Sequence, residues 1–296
     1  MADSRSLSVV SIGDVNIDWI VSAPDVRGIV AELRLHGVNT IREQVGGSGT
    51  MLATAFRRVG VATTLLCSVG EDGSGERAIS TLRKRGVRVV AHRDRTGTGR
   101  VIIIQGRRPS GIEPKAMISH RGANVGLRLN PRALKAVTGA DLLVVSGYAL
   151  LEAPQSRSTL RAARVAHRFG VSVFIDLVPH EVFRNPLPRE YGECLELADG
   201  VCLELGTARA FLRAPDASVA DIVRRLGAMF AIVVLRLTND RQITIVDGET
   251  SRQKTGYSVA RDRTGYLDAL LARQLVRLLR RRAHSRLTPP ASNRRQ

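Results

Sequence analysis

The chain has 296 residues, of which 44% are hydrophobic and 24% charged, and its formal net charge is +18 at pH 7. These values are typical of a soluble globular chain with enough material for one large α/β core. Its longest apolar runs are strand-length, and its N-terminal sequence lacks the layout of a signal peptide. The cysteines and histidines show no metal-ligand or disulfide spacing. We therefore expect a cytoplasmic protein with no membrane span and no zinc site.

The high positive charge suggests a nucleic-acid ligand, but its distribution argues against one. Arginine is spread through every segment, and only 4% of the residues are aromatic, with no stacking motif among them. We therefore predict no specific nucleic-acid partner. Charge is concentrated only near the C-terminus, where residues 281–296 combine Arg, Pro and Ser and are predicted to form a disordered basic tail.

Apolar runs alternate with amphipathic segments along the chain. LSVVSIGD (7–14) and TTLLCSVG (63–70) are predicted strands, and short β-branched runs after residue 140 predict further strands. Apolar residues recur with a helical period in four segments, which are 49–60, 75–87, 155–170 and 218–230. This alternation indicates an α/β fold over residues 1–280, with a mostly parallel central sheet flanked by helices.

Two segments interrupt this alternation. Residues from about 16 to 45 and from about 89 to 120 contain β-like pieces such as GRVIIIQGRR, which predict a small separate sheet. In a parallel sheet that is flanked by helices, ligands bind beyond the carboxyl ends of the strands. The residues that directly follow each apolar run are therefore the candidate site residues.

Two such points precede the first predicted helix. Asn16 and Asp18 alternate after the first strand, where Asp18 can accept hydrogen bonds from vicinal sugar hydroxyls; a solvated acid on an edge strand is the alternative. Gly46 and Gly47 lie just before the helix at 49–60. Glycines there let backbone N–H groups approach a polar ligand, or form only a tight turn.

Six motifs follow one another in the order of a known family. They are Gly13 to Asp18, the Gly46–Gly47 pair, VGEDGSG, LRKRGV, RGAN and DRTGYLD. In this order the chain resembles the ribokinase-like (PfkB) carbohydrate kinases. The resemblance implies a ribokinase-like fold in which the small sheet is a β lid. It also implies ATP and Mg²⁺ as cofactors, a sugar or nucleoside as substrate, and a homodimer formed through the lid.

The resemblance also assigns roles to individual residues. It makes Asp268 the base that takes a proton from the sugar hydroxyl, and it places Gly265 at the head of a turn whose N–H groups stabilise the transferred phosphoryl group. The substrate-binding residues that it implies are Asn16, Asp18, Gly46, Gly47 and Asn124. The nucleotide-binding residues that the resemblance implies are Glu204, Arg236 and Thr264. Without the resemblance, Asp268 also fits a helix-capping acid.

The chain departs from the family pattern at several of these positions. Tyr266 and Leu267 stand where the family has Ala-Gly, so we expect backbone strain or a filled anion site. Met51 stands where the family has an Asn that contacts the substrate. The segment ELGT (204–207) lacks the final carboxylate of the family's N-x-x-E motif, and RLTNDR (236–241) lacks both glycines of the nucleotide loop.

Two functional interpretations remain open. The retained acids and glycines favour a working kinase for a sugar or nucleoside. The lost glycines, the missing carboxylate and the short segment after Asp268 favour a degenerate family member, which binds a sugar or regulates another protein without transferring phosphate.

Overall fold

The computed structural model describes residues 7–23, 40–108, 111–179, 182–183, 185–237, 240–257 and 265–287. Thr264, which the resemblance assigns to the nucleotide, lies outside the described residues. The described strands are β1 (Ser8–Ile12), β2 (Asn16–Ala23), β3 (Thr40–Gly46), β4 (Ala62–Gly70), β5 (Arg88–Asp94), β6 (Gly99–Arg108), β7 (Gly111–His120), β8 (Leu142–Ser146), β9 (Ser172–Asp176), β10 (Gly200–Glu204), β11 (Ile232–Leu237), β12 (Arg241–Val246) and β13 (Glu249–Lys254).

Nine of these strands form the main sheet, in the order β13-β12-β11-β10-β9-β8-β1-β4-β5. The seven strands from β11 to β5 run parallel, and β12 and β13 add an antiparallel edge. The α/β architecture expected from the alternation is therefore confirmed. The carboxyl ends of the parallel strands meet at one edge of the sheet, where the candidate residues were sought.

Helices cover both faces of the main sheet. They are α1 (Ser48–Arg58), α2 (Gly73–Lys84), α3 (Pro131–Thr138), α4 (Gln155–Arg168), α5 (Arg189–Glu196), α6 (Leu205–Phe211), α7 (Val219–Met229) and α8 (Tyr266–Leu287). Successive strand residues point to opposite faces, so Leu143 packs in one core cluster with α3 to α7, and Val144 in another with α1 and α8. This packing fixes α1 beside α8, and both helices begin at the carboxyl edge of the sheet.

The remaining four strands form a separate sheet in the order β3-β2-β6-β7. It begins later than the sequence indicated, because Arg88–Asp94 pairs in parallel with β4 and belongs to the main sheet. The connection explains the difference. Helix α2 lies between β4 and β5, and a strand–helix–strand unit places its two strands parallel in one sheet.

The basic C-terminal segment is more ordered than the sequence analysis predicted. Helix α8 continues to Leu287, so residues 281–287 are helical and not part of a disordered tail. Leu, Ala and Arg favour helix, and the helix ends just before Thr288, the residue that precedes Pro289. Within the described ranges, no helix is long and apolar enough to cross a membrane.

Candidate functional site

Two spaces open at the carboxyl edge of the main sheet. The first, which we call the cleft, lies between the small sheet and the start of α1 and has a volume of about 420 Å³. Its lining residues are Asp14, Asn16, Asp18, Gly47, Ser48, Val101, Ile103, Met117, Ser119, His120, Arg121, Tyr148 and Leu151. The second, which we call the recess, lies beyond β10 and β11 and has a volume of about 300 Å³.

Asp18 is a buried carboxylate in the cleft. Its side chain accepts a hydrogen bond from Gln44, but its Oδ1 atom is buried with no partner among the described residues. Burial raises the pKa of Asp18 to about 6, and the bond from Gln44 only partly offsets this. Gly46 makes room for the carboxylate, because a Cβ there would lie 1.8 Å from Asp18 Oδ2. An unsatisfied buried acceptor beside a cavity is suited to a ligand hydroxyl.

The Gly46–Gly47 pair also shapes the start of α1. Gly47 has a φ of 93°, and a Cβ there would lie 2.5 Å from the Asp14 carbonyl oxygen. That carbonyl accepts hydrogen bonds from the N–H groups of Gly49 and Thr50. The N–H groups of Gly49 and Thr50 therefore bond within the protein. The expectation that backbone N–H groups near the Gly46–Gly47 pair approach a ligand does not apply to these two groups.

Arg121 organises the floor of the cleft, which the sequence analysis did not anticipate. Its Nε and Nη2 atoms donate to the two oxygens of Asp14, at 3.1 Å each, and Nη1 donates to Glu152. Nη2 also donates to the Tyr148 carbonyl and to the side chain of Gln155. Burial alone would lower the pKa of Arg121, but the attraction of Asp14 and Glu152 raises it, which keeps the guanidinium charged.

Some sequence signals for this network exist. Asp14 lies inside the first motif, and Arg121 directly precedes Gly-Ala-Asn. Gln155, which donates to Asp14 at 2.9 Å, carries no signal, because it stands at the start of an ordinary amphipathic helix. Only the packing of α4 against the sheet brings Gln155 to Asp14.

Asn124 supports the cleft and does not line it. Its side chain is fully buried, its Oδ1 accepts from Val15 N–H, and its Nδ2 donates to the Val15 carbonyl and to Asn16 Oδ1. These bonds differ from the direct substrate contact that the resemblance implied. They tie the β1–β2 connection to the turn at 122–126 and orient the amide of Asn16, which does line the cleft.

A second charged cluster lies where β9, β10 and β11 end. It consists of Asp176, Cys202, Arg236 and Asp268. Burial and, to a smaller extent, the nearby Asp176 carboxylate raise the pKa of Asp268 to about 6, and Arg236 opposes the shift. Burial also raises the pKa of Asp176, which Arg236 and a hydrogen bond from Cys202 counteract. Although burial disfavours its charge, the surrounding acids raise the pKa of Arg236.

The turn that carries Asp268 is less strained than the sequence predicted. Gly265 has a φ of 69°, but neither Tyr266 nor Leu267 has a positive φ, because α8 already begins at Tyr266. The Tyr266 hydroxyl donates to the Thr255 carbonyl at 2.8 Å, so the ring is anchored towards the end of β13. The space beside Gly265 is taken instead by Met51, whose methyl would lie 2.4 Å from a Cβ at Gly265.

The turn that carries Asp268 lies beside α1 and borders the recess. Gly265, at the head of its turn, contacts Met51, one helical turn beyond Ser48, which lines the cleft. On the other side, the carbonyl of Leu267 lies 3.4 Å from Arg236 Nη2, and both residues line the recess. The recess also contains Glu204, which stands at the end of β10. A group in the recess can therefore reach the Asp268 turn.

The unpaired carboxylate in the cleft gives a pH-dependent stability prediction. The pKa of Asp18, at about 6 in the folded chain, lies above its usual 3.8, so its ionisation opposes folding and stability falls as the pH rises through this window. We expect Asp18→Asn to raise the free energy of unfolding by about 1–3 kcal/mol at pH 8 and to have no effect below pH 4. Urea unfolding at both pH values measures this.

The exposed Asp216 provides the control for that substitution, because Asp216→Asn makes the same chemical change at the surface. It should alter the free energy of unfolding by less than about 0.5 kcal/mol at either pH. An Asp18→Asn chain that is less stable than the wild type at pH 8 would contradict the burial of an unpaired charge.

Similar solved structures are nucleoside and sugar kinases. Adenosine kinase from Sinorhizobium meliloti aligns with a TM-score of 0.70 and 19% identity, covering 90% of this chain and 93% of that one. Ribokinase from Giardia lamblia aligns with a TM-score of 0.72 and 17% identity, covering 95% of this chain and 88% of that one. Ribokinase from Arabidopsis thaliana, complexed with ribose and ATP, aligns with a TM-score of 0.70 and 17% identity, covering 93% of this chain and 87% of that one. At these identities the likeness shows a shared fold, which is the ribokinase-like fold that the motif order implied.

Curated relatives with detectable sequence similarity are 5-dehydro-2-deoxygluconokinases. That of Geobacillus thermodenitrificans is 24% identical over 180 residues, which is 59% of this chain and 50% of the relative. That of Bacillus subtilis is 23% identical over 185 residues, covering 59% and 52%. The chain thus spans about half the length of the curated relatives that it matches.

The profile of a protein family matches most of the chain. The pfkB family carbohydrate kinase profile covers residues 6–250, which includes the cleft, Asp176, Glu204 and Arg236 but ends before α8 and Asp268. Because this profile covers most of the chain, and because the shared fold and the motif order agree with it, the chain belongs to the pfkB family of carbohydrate kinases.

Proposed function

We propose that this chain transfers the γ-phosphoryl group of ATP to a hydroxyl of a sugar or related small molecule. The observation that carries the proposal is the position of Asp268. It is a carboxylate with a raised pKa, at the start of a helix whose first turn lines, through Leu267, the recess that contains Arg236. A general base works best when its pKa lies near the working pH.

The cleft would hold the acceptor. Asp18 and Asn16 would bind its hydroxyls, Gly46 would leave room for the Asp18 carboxylate, and Gly47 would hold the turn before α1. Asn124 would act indirectly, by orienting Asn16. The names of the relatives and of the similar structures, which specify a sugar acid, ribose or adenosine, support a small polyhydroxylated acceptor.

The proposed step has a simple balance. Asp268 takes the proton of the acceptor hydroxyl as that oxygen forms a bond to the γ-phosphorus, and the bond between this phosphorus and the β–γ bridging oxygen breaks, releasing ADP. Charge developing on the transferred group would be stabilised by the N–H groups after Gly265 and by the α8 N-terminus. Because Arg236 is already beside Asp268, it would meet the phosphates without reorganising.

The recess would hold the phosphates of the nucleotide. Glu204 and Arg236 line it, and Thr264 is proposed as a further contact at the start of the turn. Sites for phosphoryl transfer hold Mg²⁺ with one or two carboxylates and the phosphates themselves, so Glu204 is sufficient to take part. When bound, Mg²⁺ would neutralise charge on the phosphates. No group of three or more possible metal ligands occurs in the described part of the chain.

One observation favours the second candidate function, a ligand-binding protein without phosphoryl transfer. The Met51 methyl group lies against Gly265 and takes space beside the turn that would bind the phosphoryl group. Met is unbranched and has three rotatable bonds, so it can move out of such a position. Turnover measurements separate the two candidates directly.

The small sheet would act as a lid that excludes water, and a second copy would pair with its outer face. On one face of this sheet, Asp18, Ile103 and Met117 line the cleft. On the other face, Trp19 and Ile118 are 44% and 53% exposed. A sheet that is apolar on both faces is typical of one that is covered on both sides. Three buried free thiols suit the reducing cytoplasm that we propose as its location.

Asp268→Asn should abolish turnover while the chain remains folded. We expect kcat for ADP release, measured with Mg-ATP and a panel of sugars and nucleosides, to fall about 10²–10⁴-fold. The wild-type kcat should rise with pH through about 6, because Asp268 must lose its proton to act as a base. Turnover in the variant at the wild-type rate would contradict the role of Asp268.

The matching control uses stability rather than activity. Ionisation of Asp268 costs folding free energy above its raised pKa, so the Asn variant should be at least as stable as the wild type at pH 8. Loss of both stability and turnover would indicate a structural defect, and would withdraw support from the catalytic assignment.

The outer face of the small sheet predicts the oligomeric state. Light scattering after gel filtration should give about twice the chain mass of 32.2 kDa, and Trp19→Ser combined with Ile118→Ser should give the monomer, because the shared apolar surface is lost. Phe169→Ser removes an aromatic side chain that is more exposed than Trp19, at the end of α4, and should leave the dimer intact. A monomeric wild type would refute this pairing.

A further inference from the structure

The charged residues that line the cleft influence whether it binds charged or neutral acceptors. Its lining contains two carboxylates, Asp14 and Asp18, and two basic residues, His120 and Arg121. Among the described residues of that lining, Arg121 is the only Arg or Lys. Recognition of a sugar acid or a sugar phosphate needs a cation with free N–H groups, and a guanidinium is the group best suited to it. The state of Arg121 therefore decides whether an anion is accepted.

Arg121 is already committed to the protein. Each of its three nitrogens donates to a described acceptor, and these acceptors include the carboxylates of both Asp14 and Glu152. Its side chain is only 17% exposed. One positive charge thus faces two negative charges, so the network around Arg121 does not present a net positive field to the cleft. An incoming anion would have to displace Asp14 or Glu152 to bind there.

Asp18 adds a second obstacle to an anion and an attraction for a hydroxyl. Its Oδ1 atom is buried, has no partner among the described residues and can only accept hydrogen bonds when ionised. A hydroxyl donates to such an oxygen, whereas a carboxylate or phosphate is repelled by it. Close by, Asn124 occupies Asn16 Oδ1, which leaves the amide nitrogen of Asn16 to meet a second ligand oxygen.

Several of the remaining residues that line the cleft are apolar. Val101, Ile103 and Met117 come from the small sheet, and Leu151 follows the turn after β8. An apolar wall packs against the C–H face of a sugar ring and gives no hydrogen bond to a charged substituent. The other nearby arginines, Arg42, Arg58 and Arg85, line a different recess of about 130 Å³ that shares no lining residue with the cleft.

We propose that the cleft selects an uncharged polyol as acceptor and rejects sugar acids and sugar phosphates, because Arg121 is held by Asp14 and Glu152 and the carboxylate of Asp18 is part of the cleft lining. The proposal rests on the function proposed above. It separates this chain from the curated relatives, whose name specifies a sugar acid. Arg121 thus determines the specificity because its guanidinium is bonded within the protein and is not available to an anionic acceptor.

Matched ligand pairs test this selectivity without relying on catalysis. Calorimetric binding to the full chain, with no nucleotide present, compares D-ribose with D-ribose 5-phosphate, D-fructose with D-fructose 6-phosphate, and D-glucose with D-gluconate. In each pair that binds, we expect the neutral member to bind at least about tenfold more tightly, since juxtaposed like charges cost several kcal/mol. ADP release is measured separately for the same ligands.

A single substitution tests the role of Arg121. Glu152→Gln removes one of the two negative charges that hold Arg121 and weakens the bond to its Nη1, while the half-exposed position of Glu152 leaves the core unchanged. It should raise the affinity for the anionic members about three- to tenfold and leave the neutral members unchanged. Glu249→Gln, the same charge change on exposed β13, should alter neither.

The outcomes for this inference and for the kinase proposal are distinct. Neutral binding without ADP release would contradict the kinase and leave the selectivity standing. Equal or tighter binding of the anionic members would overturn the selectivity, even with rapid turnover. It is overturned as well if no neutral member binds, or if Glu249→Gln has the same effect as Glu152→Gln.

Discussion

Charge that is buried at the carboxyl edge of the main sheet must be compensated, and two arginines do this. Arg121 donates hydrogen bonds to Asp14, while Arg236 attracts Asp176 and Asp268 electrostatically. Removing either guanidinium would leave a carboxylate uncompensated, at a cost of several kcal/mol. The fold concentrates this demand, because parallel strands end together at one edge. The same compensation allows carboxylates to lie beside the cleft and the recess.

The two arginines divide the site into two parts with different chemistry. Arg121 is enclosed by acids and carbonyls and organises the floor of the cleft, so it has little left to offer a ligand. Arg236 lines the recess and touches the carbonyl of Leu267, so it remains near any group that enters the recess. Asp268 is affected by Arg236 and by the repulsion of Asp176, and the balance leaves its pKa in the range of a general base.

Local sequence patterns predicted the parts of this arrangement that depend on short-range structure. The strand–helix alternation and the motif order predicted the fold, the position of Asp18 in the cleft and the need for glycine at 47 and 265, both of which have positive φ. Contacts between distant segments were not predictable in this way. The bond from Gln155 to Asp14 joins residues 141 positions apart, and the internal role of Asn124 depends on residues 108 and 109 positions away. Strain at Tyr266 was expected from a motif comparison, but the early start of α8 removes it.

Phosphorus NMR provides the most direct measurement of the central claim, that a group in the recess reacts with a hydroxyl in the cleft through Asp268. The full chain is incubated with Mg-ATP and a neutral sugar that it binds, beside Asp268→Asn. We expect the wild type to produce ADP and a sugar phosphate ester in equal amounts, and the variant to leave ATP unchanged over the same period. ATP that remains intact with every sugar, or that yields only inorganic phosphate, would contradict the claim.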